Sequence, residues 1–161
     1  MAPIERSLSY AKGTTVPVEK TRAEIDRLLA KHGATQRLIG IDEPRNAALV
    51  GFTLAERQVR LIVPLPSIGN LQIPRGRGEW AERARRARAQ AERERWRAVL
   101  MLVRAKLEAI ALGLTTVERE FLADISLPDG RRVGAVLAPL LAEAYKTGQM
   151  PAMLGPAAEE P

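Results

Sequence analysis

The sequence has no cysteine and only one histidine, His32. Disulfide bonds, thiolate metal sites, cysteine nucleophiles and histidine-rich metal centres are therefore excluded. Aromatic residues make up only 4% of the chain, so a core must be built mainly from Leu, Val, Ile and Ala. The longest apolar run, 98–103, is too short to cross a bilayer, and no signal-peptide segment opens the chain. We therefore expect a cytoplasmic protein with no membrane association.

Sequence motifs of the common enzyme classes are also missing. There is no Walker loop, no GxSxG, no HExxH and no nucleophile accompanied by a credible base. Three acidic pairs could offer oxygen ligands to Mg²⁺: Asp42 with Glu43, Glu118 with Glu120, and Asp124 with Asp129. None of these pairs has a recognisable nuclease spacing. We therefore expect a protein that is not an enzyme and that holds neither a cofactor nor a metal.

Hydrophobic periodicity predicts an α+β fold in a chain of 161 residues, a length typical of one domain. An N-terminal helix is indicated by apolar positions three or four residues apart, ending at Gly33. Three strand-like runs follow at 36–42, 47–54 and 57–64. Their short connections predict a three-stranded antiparallel β-meander. The rest of the domain is expected to be mainly helical.

The second half of the chain begins with a Pro- and Gly-rich loop, 64–78, followed by a long amphipathic basic helix, 79–112. A short helix is predicted at 116–124, then a small hairpin of 124–127 and 131–133 around Pro128-Asp129-Gly130. The last helix, 133–147, contains Pro139, so we expect a kink or a later start there. The predicted domain covers 14–148, between a flexible N-terminal arm, 1–13, and a flexible C-terminal tail, 149–161.

The basic excess lies in one segment. The net charge is +6, and positions 75–106 hold ten Arg and one Lys against four Glu, which is +7 locally and leaves −1 elsewhere. Such a segment favours an acidic partner, either nucleic acid or an acidic protein. The codon usage of a GC-rich genome would also enrich Arg over Lys. The excess of Arg over Lys therefore does not by itself indicate a function.

A helical wheel of the long helix separates an apolar stripe from a line of arginines. Each residue is placed about 100° further around the helix than the one before it, starting from Arg83. The apolar stripe is then about 100° wide and comprises Trp96, Val99, Leu100, Val103, Leu107, Ile110 and Leu114. Beside it runs a basic ridge, defined as Arg86, Arg93, Arg97 and Arg104 with Arg83 at its edge. The alternative to a binding ridge is a solvent-exposed helix face on which Glu and Arg side chains form ion pairs, although four acidic residues cannot neutralise eleven basic ones.

A second basic element precedes this helix. Arg75 and Arg77 lie in a Pro-Arg-Gly-Arg-Gly piece, and Trp80, which lies off the apolar stripe, follows it. Aromatic side chains beside basic surfaces stack on single-stranded bases; alternatively, the piece is a connector and Trp80 packs on the loop or on a neighbouring subunit. The predicted nucleic-acid-binding residues are Arg75, Arg77, Trp80, Arg83, Arg86, Arg93, Arg97 and Arg104.

Two stretches carry a resemblance: VPVEKTRAEIDRLLAKHGA, and ERWRAVLMLVRAKLEAIALGLTTVEREFLADISLPDGRRVG. They resemble small proteins encoded in tailed-phage and prophage genomes of GC-rich bacteria. The resemblance covers most of the chain and implies a phage context, but it transfers no site residues. The order of helix, three-stranded sheet and long helix also looks like the core of single-strand annealing proteins, which is an analogy of fold alone.

Two functional hypotheses follow. The first is a non-enzymatic phage-type nucleic-acid-binding protein that favours single-stranded DNA, forms homo-oligomers and serves DNA replication or recombination. The second is a protein-interaction module, either a phage adaptor or an inhibitor of a host defence protein, that applies the same basic surface to an acidic protein partner. Steep salt dependence with indifference to base sequence would favour the first, and tight one-to-one binding of a host protein would favour the second.

Overall fold

The computed structural model describes residues 11–73 and 76–149, and the α+β fold is confirmed. The main elements, in chain order, are α1 (Val18–Lys31), β1 (Thr35–Asp42), β2 (Ala47–Leu54), β3 (Arg57–Pro64), α2 (Trp80–Ala111), α3 (Val117–Phe121) and α4 (Val133–Thr147). Two 3-10 turns, Ile68–Asn70 and Leu122–Asp124, complete the architecture. None of the helices formed by the described residues is both long enough and apolar enough to cross a membrane.

The three strands form an antiparallel sheet in the order β1-β2-β3. The alternation of side chains along β2 and β3 puts Val50 opposite Leu61 and Phe52 opposite Val59, all buried on one face of the sheet. The pairing of β1 is irregular near its start, where Gln36 has a φ of 47°. The predicted meander is confirmed, and its inner face is one wall of the core.

α1 and α2 pack on that inner face and close the core. Ile25 and Leu29 of α1 and Trp96 and Leu100 of α2 are completely buried. The stripe predicted on α2 is confirmed from Trp96 to Leu107. Leu114 is exposed instead, because α2 ends at Ala111 and the chain reverses at Gly113, whose φ is +69°.

Arg22 joins three elements around the edge of the sheet. Its Nη2 donates a hydrogen bond of 2.7 Å to the carbonyl of Ile39 in β1, and its guanidinium lies 5.7 Å from the ring centroid of buried Trp96. An edge strand with covered carbonyl groups is protected from pairing with other chains. The contact also fixes the position of α2 relative to α1 and the sheet.

The first half of α2 contacts the rest of the domain. Ala84 is buried, the amide of Gly13 donates to Glu94 Oε1 at 2.8 Å, and Gln90 donates to the carbonyl of Thr14 at 3.1 Å. The end of the predicted N-terminal arm is therefore hydrogen-bonded to α2. The remainder of that arm, 1–10, and of the C-terminal tail, 150–161, lies outside the described residues.

The C-terminal part of the chain is attached to the edge of β3. Ile125 forms a single β-bridge with Val59, and Ser126 forms one with Arg132. The predicted hairpin is thus reduced to one bridge, because its two arms are too short for a ladder. α4 begins at Val133 and is helical through Pro139, and none of its residues is buried.

Candidate nucleic-acid interface

The arginines predicted to bind nucleic acid divide into an internal and an exposed group. Arg83, Arg93 and Arg97 are partly buried and bonded within the chain, whereas Arg77, Arg86 and Arg104 are exposed. Arg75 lies outside the described residues. The basic ridge of the helical wheel is therefore interrupted by side chains that are engaged in the fold.

Arg97 links α2 to α1. Its Nη1 lies 2.8 Å from Glu24 Oε2, and only 21% of the Arg97 side chain and 23% of the Glu24 side chain are exposed. Because Glu24 lies on the neighbouring helix, no wheel of α2 alone could reveal this partner. The pair contributes to the packing of the two helices and is largely withdrawn from solvent.

Arg83 and Arg93 also bind within the chain. The Arg83 guanidinium donates to the carbonyl groups of Gly76, at 3.0 Å, and of Gly78, so it holds the Gly-rich connection against the start of α2. Arg93 donates to Gln90, the residue that in turn contacts the N-terminal segment. Arg83 therefore holds a loop against α2 directly, whereas Arg93 orients Gln90, which contacts the N-terminal segment.

The exposed arginines, which we call the exposed basic surface, are Arg77, Arg85, Arg86, Arg88 and Arg95. Among them Arg85, Arg88 and Arg95 lie within about 80° of one another around α2, and Arg86 projects from the other side of the helix. The side chains of Arg85 and Arg86 are 76% and 79% exposed although both pair with Glu82. Arg88 and Arg95 form neither an ion pair nor a hydrogen bond with another described residue. This surface extends over the first half of α2, from the loop before the helix to its middle.

Arg85, Arg88 and Arg95 were not among the residues predicted from the sequence to bind nucleic acid. The wheel was oriented by the large apolar residues of the second half of α2, and it put these three arginines within or beside the buried stripe. In the first half, positions 79–95, Trp80 is the only large apolar residue, and the contacts of that half with the rest of the domain are made by small or polar side chains such as Ala84, Gln90 and Glu94. The absence of a Leu, Ile or Val there was the signal that could have identified these arginines.

Electrostatics keep this region positive despite its glutamates. Between 76 and 97 there are eight Arg and four Glu, a balance of +4. Hydrogen bonds from Arg86 and then Arg85 lower the pKa of Glu82 below its usual value. Glu82 is therefore ionised at neutral pH and offsets part of the charge of its two partners, while Arg88 and Arg95 form no ion pair with another described residue.

Trp80 lies at the first residue of α2, next to the exposed basic surface. It is 58% exposed, in contrast to the completely buried Trp96. Arg88 and Glu92, farther along the helix, line a cleft of about 280 Å³ together with Leu65 and Pro66. An open indole face and a partly apolar cleft therefore flank the arginines on this part of the molecule.

Arg104 lies apart from the other exposed arginines. It is exposed and has no ion-pair partner among residues 11–73 and 76–149. It is nine residues beyond Arg95, or roughly 14 Å along the helix axis, and projects from the opposite side of the helix. A continuous line of binding residues from the loop to Arg104 is therefore not formed by the exposed side chains.

Five of the six carboxylates considered as Mg²⁺ ligands, all but Glu43, contact a basic side chain among the described residues. Asp42 contacts Arg45 at 2.5 Å, which lowers the Asp42 pKa chiefly through the side-chain hydrogen bond. The other carboxylates have similar partners: Glu118 with Arg57, Glu120 with Lys106, Asp124 with Arg132, and Asp129 with Arg131. Across the two described stretches, no three His, Asp or Glu side chains converge on a point where a metal ion could bind.

The single histidine lies between the C-terminal parts of two helices. His32 Nε2 is 3.5 Å from Glu108 Oε1, and the imidazole side chain is mostly covered. This contact joins the end of α1 to α2. His32 therefore packs between the two helices.

No protein-family model, no curated protein and no solved structure matches this chain. The functional conclusion therefore depends on the geometry of the exposed basic surface.

Proposed function

We propose that this chain is a non-enzymatic protein that binds single-stranded nucleic acid, with single-stranded DNA favoured, through the exposed basic surface. The observation that carries the proposal is the group of exposed arginines on the first half of α2, of which Arg88 and Arg95 have no partner among the described residues. A replication or recombination role in a phage is the setting we propose for it.

The arginines suit a phosphate backbone. A guanidinium group is always charged and presents a planar fork of donors that matches phosphate oxygens. Arg88 and Arg95 are seven residues apart and therefore project from one side of the helix, two turns apart. Neutralising phosphates releases counterions, so affinity should fall steeply with salt and should not depend on base sequence.

Trp80 is the reason for favouring single strands. Its exposed indole lies at the start of the helix that carries the arginines, and stacking a base on an aromatic ring stabilises binding by about 1–3 kcal/mol. In a duplex the base faces are already stacked on each other. A partner with accessible bases therefore gains an interaction that a duplex or an acidic protein does not.

The proposal is tested by fluorescence anisotropy of labelled oligonucleotides titrated with the full chain. We expect the wild type to bind a single strand more tightly than the matching duplex. Trp80→Ala should weaken single-strand binding by about tenfold and leave duplex binding nearly unchanged. A variant in which Arg85, Arg88 and Arg95 are all replaced by alanine should weaken both.

Arg119→Ala is the matched control. Arg119 is an exposed helical arginine on α3, near Glu120, which contacts Lys106, and Lys106 lies roughly 30 Å along α2 from Arg85. Equal losses for Arg119→Ala and for the single variant Arg88→Ala would assign binding to overall charge and contradict the assignment of the site. Absence of binding at low salt would refute nucleic-acid binding and leave the acidic protein partner as the explanation of the surface.

A further inference from the structure

The cleft beside the exposed basic surface is lined by three separate parts of the chain. Its volume is about 280 Å³, close to the lower end of the range of small-molecule sites. The lining residues come from the end of β1 and the turn after it, from the segment after β3 and from the first half of α2: Ile41, Glu43, Asn46, Leu65, Pro66, Arg88 and Glu92. The cleft therefore suits one small group, such as a single nucleobase.

One wall of the cleft is held in place by hydrogen bonds. The Leu65 amide donates to the Asn46 carbonyl at 2.8 Å, and the Asn46 side-chain amide donates to the Leu65 carbonyl at 3.1 Å. The Asn46 backbone amide also donates to the Glu43 carbonyl at 3.0 Å, which closes the turn between β1 and β2. This wall is already ordered in the free protein, so a ligand binds there without the cost of ordering it.

The cleft combines aliphatic surface with hydrogen-bond acceptors. Leu65 and Pro66 are partly covered, and Ile41 is 42% exposed. Within 11–73 and 76–149, the Glu43 and Glu92 carboxylates have neither an ion-pair nor a hydrogen-bond partner. An ionised carboxylate only accepts hydrogen bonds. The cleft is therefore suited to an apolar ring that carries N–H groups on its edge.

Glu92 interrupts the arginines on this side of α2. At about 100° per residue it lies between Arg85 and Arg88 around the helix, roughly 40° from Arg88. The ion pairs in this part of α2 are formed by Glu82 with Arg85 and Arg86 instead. A carboxylate that faces a phosphate repels it, whereas a carboxylate that faces a base accepts hydrogen bonds from its amino group. The position of Glu92 therefore favours a base, and not a phosphate, in the cleft.

We propose that this cleft binds one base of the strand held by the exposed basic surface and that it prefers guanine. The inference rests on the proposed function, because Arg88 belongs both to that surface and to the cleft. Guanine presents two adjacent donor groups, N1–H and the N2 amino group, which match the two oxygens of a carboxylate. Thymine presents one N–H between two carbonyl groups, and carboxylates repel those carbonyl oxygens.

The phosphate contacts by themselves do not distinguish bases, so a preference for guanine measures occupancy of the cleft. Fluorescence anisotropy of three labelled single strands of equal length tests the inference: oligo-dT, alternating dG and dT, and alternating deoxyinosine and dT. The full chain should bind the dG strand about tenfold more tightly than oligo-dT. Inosine has the rings and the N1–H of guanine but lacks the N2 amino group. The inosine strand should therefore lose most of that preference, although it stacks on Trp80 as guanine does.

Glu43→Gln combined with Glu92→Gln should reduce the preference for the dG strand to within about twofold, because the carboxylate pairs with guanine are lost. The affinity for oligo-dT should not fall, since the variant removes two negative charges near the phosphates. Glu56→Gln is the matched control, because Glu56 is an exposed glutamate in the turn between β2 and β3, at the opposite end of the sheet. This control should keep the full preference. All three glutamates are at least partly exposed, so circular dichroism should show an unchanged fold.

Equal affinities of the wild type for the three strands would overturn this inference and leave the proposed function standing. A full preference for the inosine strand would assign the effect to stacking of the purine rings, and persistence of the preference in the double variant would exclude the two carboxylates. Absence of binding to all three strands at low salt would instead refute the proposed function, and this inference with it.

Discussion

Removing the ion pair between Arg97 and Glu24 should destabilise the fold while leaving nucleic-acid affinity unchanged. Nearly four-fifths of each side chain is covered, and their charged atoms are 2.8 Å apart across two helices. The expected cost of Arg97→Ala therefore exceeds the contribution of a fully exposed pair, which is about 0.2–1 kcal/mol. The expected cost is also smaller than the cost of removing one partner of a completely buried ion pair, which is about 3–5 kcal/mol.

An intermediate value of about 1.5 kcal/mol follows, typical of a hydrogen bond between charged groups. For a domain of this size that loss lowers the melting temperature by about 3–6 °C. Urea unfolding of wild type, Glu24→Ala, Arg97→Ala and the double variant gives the coupling energy directly. Anisotropy titrations of the same proteins show whether Arg97 also contacts nucleic acid.

Two results would refute the division of the α2 arginines into internal and exposed groups. One is a coupling energy indistinguishable from zero, which would remove Arg97 from the structural group. The other is a loss of nucleic-acid affinity on Arg97→Ala as large as that on Arg88→Ala. Either result would return Arg97 to the basic ridge expected from the helical wheel.

Two further predictions concern stability. Gly134→Ala should lower the free energy of unfolding by about 1–3 kcal/mol, because the new Cβ would collide with Ala123. Gly69→Ala, which has open space around it, should be nearly neutral in urea unfolding. Equal stabilities of the two variants would contradict the close approach of α4 to Ala123. The pKa of Asp42 is lowered by its bond to Arg45 from a usual 3.8, so its contribution to stability is complete above that pH and is lost as the pH falls through the lowered value. Carboxyl-carbon NMR should place the Asp42 midpoint below 3.8, and a midpoint at or above it would contradict the contact.

Much of the fold could be predicted from local sequence pattern. β2 and β3 begin and end at the predicted residues, because alternating apolar residues and the intervening turns specify both strand and register. The buried stripe of α2 from Trp96 to Leu107 could also be predicted, because its apolar residues recur at helical spacing. The weakly patterned hairpin at Ser126 and Arg132 was shorter than expected, and the helix predicted at 116–124 is α-helical only over Val117–Phe121.

The candidate site was harder to predict because the state of an arginine depends on its partners in space. Glu24 is 73 positions from Arg97, and the partners of Arg83 are backbone carbonyl groups. Neither kind of partner can be predicted from the helical periodicity of α2. Arg88 and Arg95 are exposed because large apolar residues are missing around them, a feature that the wheel of the second half of α2 concealed.

The unburied state of α4 was equally hidden from the sequence. Its apolar residues have the spacing of an ordinary core helix, and Pro139 was the only irregular feature. Whether such a helix is enclosed depends on whether the rest of the chain supplies a second wall. Here the sheet and the first two helices already close the core, so α4 is left at the side of the domain.

The most direct test of the account is the salt dependence of single-strand binding. The wild type should give a log–log slope of about −3 to −5, and replacing Arg85, Arg88 and Arg95 together by alanine should make that slope shallower by about 2. Arg119→Ala should leave the slope unchanged. A slope that is the same in the wild type and the triple variant would contradict the assignment of the exposed basic surface as the nucleic-acid interface.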